Sequence, residues 1–219
     1  MERVTWAGGA PGPLLDRALA LLDTGRRSVL GIAGAPASGK STLAEAMLAE
    51  VNALRPGSAV LVGMDAFHLG HALLRSRGWT PVKGAPQTFD ALGYVALLRR
   101  IRESSEPIYA PVFHREIEDS LSAEVEVSPD VRLVITEGNY LLLPRPPWDQ
   151  VRSLLDEAWF VMLDDDERRR RMVRRHLHHG HPLDDAIRRT QGSDEDNARL
   201  VNEAQHSPDL WIEQLSRVP

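Results

Sequence analysis

Gly34-Ala35-Pro36-Ala37-Ser38-Gly39-Lys40-Ser41 matches G-x-x-x-x-G-K-[ST], a loop whose backbone N–H groups can encircle phosphate oxygens. Its flanks supply the setting such a loop needs. Ser28 to Gly34 reads as a short buried strand, and Ser41 to Glu50 reads as a helix. Strand, glycine turn and helix direct amide groups and a helix N-terminus at one anion. The chain has 26 Lys and Arg residues, of which only Lys40 and Lys83 are lysines. An ammonium has been kept where a compact point charge is wanted rather than a planar fork. Residues 34–42, ending in Thr42, are therefore expected to bind a nucleoside triphosphate. Lys40 would neutralise β- and γ-phosphate oxygens, and Ser41 would ligate Mg²⁺.

Outward from this loop, strands and helices alternate. Residues 1–13 read as a loose Gly- and Pro-rich arm, and Leu14 to Arg27 as a helix with Leu15, Leu19 and Leu22 on one face. Ala59 to Gly63 is a second buried strand, ending near Asp65. Residues 66–87 form an irregular stretch too long to be idle in a compact domain. Thr88 is placed to cap a helix running to about Glu103. Ile108–Phe113 and Glu124–Val127 favour a hairpin. Val131–Thr136 and Ala158–Leu163 are further buried strands, followed by helices over 165–178 and 183–204. This order predicts an α/β fold in three layers, with a mostly parallel sheet and ligands at the carboxyl ends of its strands. The phosphate loop, Asp65 and Glu137 all fall there. We divide the chain into an arm and helix (1–27) and a P-loop domain (28–219), with a flap at about 106–130 and an arginine-rich helical lid at about 165–185.

Composition narrows the function. At 219 residues, 42% hydrophobic and 26% charged, with a net charge of −5, the chain has the profile of a soluble globular domain without a bias toward nucleic acid or anionic membrane. No apolar run reaches spanning length, the N-terminus lacks a signal-peptide order, and there is no cysteine. A cytoplasmic protein is expected, with the oligomeric state open to a homodimer.

The loop serves switches, motors, transport ATPases and small-molecule kinases alike. Neither lysine follows an Asn, so the Asn-Lys-x-Asp guanine signature of Ras-like GTPases is missing. A compact chain with an acidic strand end, a long pocket loop and arginine-rich helices has the outline of a small-molecule kinase. Asp65 is the candidate base for an acceptor hydroxyl, and Glu137 the candidate holder of the metal or its water. Arg171 and Arg175, four residues apart on one helix face, could stabilise charge on a transferring phosphoryl group. Phe67, Tyr109, Phe113 and Tyr140 could stack a base. His176-Leu-His178-His179-Gly-His181 is irregularly spaced with no carboxylate obviously placed, and reads as polar rather than metal-binding.

These segments together resemble a family. Asp65-Ala-Phe-His68, Lys83-Gly-Ala-Pro-Gln-Thr-Phe-Asp90, Ala110-Pro-Val-Phe-His-Arg115, Glu137-Gly-Asn-Tyr-Leu-Leu142, Arg174-Arg-His176 and Asp196-Asn197 follow the phosphate loop in order. The set is similar to the superfamily of phosphoribulokinase, uridine kinase and bacterial pantothenate kinase. Within it, the likeness is to small bacterial proteins called nucleoside/nucleotide kinase-like or fructose transport system kinases. The resemblance, over about residues 28–210, implies a parallel five-stranded core, ATP with Mg²⁺, and transfer to a hydroxyl of a small polyhydroxy acceptor such as a sugar. It places Asp65 at the base position and Glu137 at the strand-end acid. It also places His68, Lys83 and Arg115 in the acceptor pocket and Arg171 and Arg175 in the lid. Val82 stands where relatives commonly carry a basic residue, and Ala66 where they carry Gly. The first departure removes a reason to expect an acidic or phosphorylated acceptor. A nucleoside or pantothenate kinase, and an ATPase or regulatory module without an acceptor, remain as alternatives.

Overall fold

The computed structural model describes residues 2–9, 12–203 and 208–215. The chain runs β1 (Glu2–Trp6), α1 (Gly12–Leu22), β2 (Ser28–Gly34), α2 (Lys40–Leu54), β3 (Ala59–Gly63), α3 (His71–Ser76) and α4 (Ala91–Glu103). It continues through β4 (Ile108–His114), β5 (Asp119–Val127), β6 (Leu133–Gly138), β7 (Glu157–Met162), α5 (Asp165–His178), α6 (Leu183–Gln191), α7 (Ser193–Glu203) and β8 (Leu210–Gln214). The main sheet has the order β1-β8-β7-β2-β6-β3, and every pairing in it is parallel.

β2 lies near the middle of the sheet and is buried at all seven positions. Val29 and Ala33 enter the core on the α4 side, while Leu30 and Ile32 enter the core on the α1 and α2 side. A strand covered on both faces reads as a continuous apolar run, which is why 28–34 was legible.

The sheet has six strands rather than the expected five, because both ends of the described chain pair at its edge. The residues read as a loose arm instead form β1, in register with β8 from Glu2↔Leu210 to Trp6↔Gln214. Trp6 is 1% exposed, and its indole N–H donates to Gly9 O at 2.7 Å. Burying one large aromatic side chain offsets the entropy of ordering a short edge strand.

Two helix expectations also change. The segment 183–204 is two helices, broken at Gly192; its last residue lies outside the described residues. Asp90, not Thr88, caps α4, accepting from Gly93 N at 2.9 Å. Thr88 instead closes the pocket loop: its hydroxyl donates to Ala85 O at 2.7 Å and accepts from Gly84 N at 3.0 Å. β4 and β5 form the expected hairpin, antiparallel, with an irregularity between Ala110 and Val112.

Because Trp6 anchors the edge strand in the core, Trp6→Ala is expected to lower unfolding free energy by about 3–5 kcal/mol. Urea denaturation followed by circular dichroism measures this; a loss under about 1 kcal/mol would mean the strand is not an integral part of the sheet.

Candidate active site

β2 ends at Gly34, and the chain turns through 35–39 before α2 begins at Lys40. The turn needs its glycines for different reasons. A side chain at Gly34 would meet Ser38 Oγ at 2.6 Å and the carbonyl oxygen of Val161 at 2.8 Å. Gly39 has φ 96°, the left-handed region, and a side chain there would strike Gln214. The loop is thus pressed against β7 and β8. Ser38 Oγ is buried without a hydrogen-bond partner among the described residues.

Lys40 and Glu137, each 8% exposed, face one another from α2 and β6, with Nζ and Oε2 3.9 Å apart. That is an ion pair without a direct hydrogen bond, and Glu137 Oε2 has no hydrogen-bond partner among the described residues. Burial pushes the Glu137 carboxyl upward; Lys40 opposes this, the nearby Asp65 charge adds to it, and a bond from Ser41 opposes it again. A buried carboxylate oxygen without a partner beside a serine hydroxyl suits a hard divalent cation shared with phosphate oxygens. Among the described residues no cluster of three or more His, Cys, Asp or Glu could hold a metal by itself.

Asp65 sits in the 3₁₀ turn Met64–Phe67 that follows β3. The turn is positioned from below: Thr136 Oγ donates to Val62 O at 2.6 Å, which directs the Tyr94 hydroxyl to donate to Thr136 at 2.7 Å. This buried chain ties β3, β6 and α4 together one to three residues before Glu137 and Asp65. The Asp65 carboxylate accepts from Arg115 Nη2 at 3.4 Å. Burial opposes its ionisation, but the charges of His68, Lys40, Arg115 and Arg175 outweigh this and hold the carboxyl below its usual value. His68 Nδ1 donates to Asp65 O at 2.8 Å, which in the neutral ring leaves Nε2 as an acceptor; burial lowers the imidazole pKa.

Lys40, Asp65, His68, Lys83, Arg115 and Arg175 line one cavity of about 580 Å³. Pro36 also lines it, whereas Glu137, Ser41 and the other predicted residues of 34–42 lie outside this lining, as do Tyr140 and Arg171. Tyr140 is fully buried against Phe89 and Trp148, and its hydroxyl donates to Gly84 O, so it supports the pocket loop from beneath. Two residues beyond the end of β6, its ring turns into the core instead of toward a ligand. Arg171 is held by Glu167 at 2.9 Å along α5, while Arg175, one turn further, reaches the cavity. Among the proposed stacking rings, Phe67 packs on Tyr94 at 5.2 Å, Tyr109 is 56% exposed on the hairpin, and Phe113 alone of the four lines the cavity.

Sequence reading also missed partners. His176 bonds Asp194 of α7 at 2.7 Å, and both border the cavity with His179 and His181. Arg168 is 1% exposed: its Nη2 donates to Glu195 of α7, and its Nε to Asp165 at 2.9 Å. Arg169 bonds the same Glu195 at 2.8 Å. Those bonds, led by Arg169 and joined by Arg168 against the opposing effect of burial, hold the Glu195 carboxyl down at about 2. The acidic run 194–196 opening α7 was the available signal for a cation-binding face.

No protein-family model matches the chain. A Schizosaccharomyces pombe protein named "putative uridine kinase" is 36% identical over 212 residues, covering 92% of this chain and 89% of its own length. A crystal structure of a "putative fructose transport system kinase" from Silicibacter sp. TM1040 superposes with TM-score 0.82 at 36% identity, covering 91% of this chain and 97% of that one. The pantothenate kinase of Latilactobacillus sakei is 28% identical over 135 residues, or 61% of this chain and 44% of its own length.

Removing the carboxylate that unites α5 and α7, Glu195→Gln, is expected to cost about 3 kcal/mol at neutral pH by stranding buried Arg168. The depressed pKa makes the sign definite. The Glu195 contribution is complete above an unfolded carboxyl's pKa of about 4.3 and is lost as pH falls from there toward 2. Thermal unfolding of both proteins across that range should show the gap narrowing as pH drops; a constant gap would refute the assignment.

A loop that glycine alone can close against β7 and β8, a buried Lys40–Glu137 pair behind it, and full-length likeness at 36% identity lead to one statement: the chain belongs to the P-loop small-molecule kinase superfamily of uridine kinases, pantothenate kinases and phosphoribulokinases.

Proposed function

We propose that the protein transfers the γ-phosphoryl group of ATP to a hydroxyl of a small polyhydroxy acceptor, with Mg²⁺ as cofactor. The observation that carries the reading is the cavity shared by Lys40 at the phosphate loop and an ionised Asp65. The loop amides of 34–42 and Lys40 bind the β- and γ-phosphates. Ser41 and Glu137 would hold Mg²⁺, which when bound neutralises charge on those phosphates.

The acceptor oxygen attacks the γ-phosphorus as the bond to the β-phosphate oxygen breaks, ADP leaves, and the hydroxyl proton passes to Asp65. Arg115 orients that carboxylate and favours its charged form. Arg175, whose guanidinium makes no direct ion pair or side-chain hydrogen bond among the described residues, is aligned with the charge that develops on the phosphoryl oxygens. Arg171 takes no such part, being engaged by Glu167.

A nucleoside acceptor is the second reading. It is favoured by the relative named for uridine and by Phe113 at the cavity wall. ADP release measured with sugars, uridine, cytidine and pantothenate separates the two. Absence of any stimulation over the water background would leave only an ATPase or nucleotide-binding module.

Asp65→Asn is expected to lower acceptor-dependent kcat by about 10²–10⁴-fold while ATP affinity stays nearly unchanged. Parallel loss of both would reassign Asp65 to structure. In the wild type, the acid limb of kcat/KM is expected at lower pH than an ordinary aspartate gives, since the cations around Asp65 keep it ionised. A limb at or above the ordinary value would remove Asp65 as the base.

A further inference from the structure

The wall of the cavity beyond Asp65 carries charge that a neutral sugar does not require. Phe113, near the end of β4, is ringed by three groups. The His68 ring centre lies 5.0 Å away, Lys83 Nζ 5.2 Å and Arg115 Cζ 5.9 Å. Lys83 comes from the pocket loop, where its side chain is 16% exposed. A cation withdrawn from water this far needs a counter-charge, and it has found one inside the protein. Glu118, at φ 53° in the turn between β4 and β5, reaches across to it. Lys83 Nζ donates to Glu118 Oε2 at 3.0 Å and to Glu118 O at 2.7 Å.

Glu118 is a poor permanent partner. Its side chain is 49% exposed, so water competes for it, and it arrives from a hairpin rather than from the body that holds Lys83. The subsite is thus built to take a carboxylate-like oxyanion, and its present occupant is one that solvent can receive. Asp65 cannot fill the same need for Arg115, because a base must give up part of that pairing when it accepts a proton.

We propose that the acceptor is itself an anion, a hydroxyl compound bearing a carboxylate or phosphate monoester, whose charged group binds Lys83 and displaces Glu118. The inference rests on the kinase reading above and narrows it. With the oxyanion held at Lys83, the acceptor's hydroxyl end is directed past the His68 ring toward Asp65 and the γ-phosphate. The Lys83–Glu118 contact then acts as an internal competitor, and neutral acceptors, which gain nothing from displacing it, are turned over less well.

Matched panels test this: fructose, gluconate and fructose 6-phosphate, and glycerol, glycerate and glycerol 3-phosphate, each assayed by ADP release. The charged members should exceed their neutral partner in kcat/KM by about ten- to a hundredfold, and the acid and phosphate arms identify which oxyanion is read. Lys83→Gln should erase that advantage, with partial recovery in Lys83→Arg. ATP affinity, measured for each variant, should be unchanged. Glu118→Gln should lower KM for charged acceptors by about three- to tenfold and leave neutral ones where they were. A contact that merely fixed the hairpin would shift both alike. Neutral members matching the charged ones, or Glu118→Gln moving both classes equally, overturns the inference and leaves the kinase standing. Stimulation by neither class overturns the kinase reading itself and this inference with it.

Discussion

Lys40 and Glu137 are held almost out of solvent at 3.9 Å, close enough to attract and too far to bond. Such a pair costs stability, since desolvation is incurred on both charges and one carboxylate oxygen has no hydrogen-bond partner among the described residues. The cost is tolerable only because the strands beneath are fully buried and tightly registered. β2 supplies the loop, β6 supplies Glu137, and their pairing from Ser28↔Leu133 to Ala33↔Gly138 sets the two charges side by side. An incomplete pair maintained at that expense is what the proposed binding of phosphate and a cation would use.

The second constraint is the placement of Asp65. Its turn follows β3, which pairs with β6 up to Gly63↔Glu137, so Asp65 comes two residues beyond the position level with Glu137 on the neighbouring strand. Their environments push them in opposite directions. Burial raises Glu137, while Asp65 is lowered against its own burial by the charges gathered around it, Lys40, Arg115 and Arg175 among them. Divergent tuning of adjacent acids is consistent with the separate roles proposed for them.

In the arginine-rich helix, charge is used mainly for architecture. Glu167 gathers Arg170, Arg171 and Arg174, and Glu195 gathers Arg168 and Arg169. These pairs fasten α5 to itself and to α7. What they leave over is Arg175, presented to the cavity beside Arg115. Its neighbours on the helix are paired, whereas Arg175 makes no direct ion pair among the described residues and feels Asp65, Asp194 and Glu118 only across the cavity. The hairpin repeats the pattern at Lys83, with Glu118 as the provisional counter-charge.

Local pattern determined much of this protein. The phosphate loop was readable because glycine spacing, a buried strand and a helix start are all properties of contiguous residues. Asp65 and Glu137 were readable as acids ending apolar runs. The six-stranded sheet was not, because β1 is a short edge strand whose one sheet partner, β8, lies some two hundred residues away in sequence. Helical spacing put Arg171 and Arg175 on one face but could not say which would meet Glu167 and which the cavity, since that depends on how α5 is rotated against α7. Tyr140 shows the same limit. Its aromatic ring suits a ligand or a core equally well, and only the packing of Phe89 and Trp148 around it decides for the core. Covalent neighbourhood carried the phosphate site; the wiring of charges between helices and hairpin is a distance relation, and it exists only once the chain has folded.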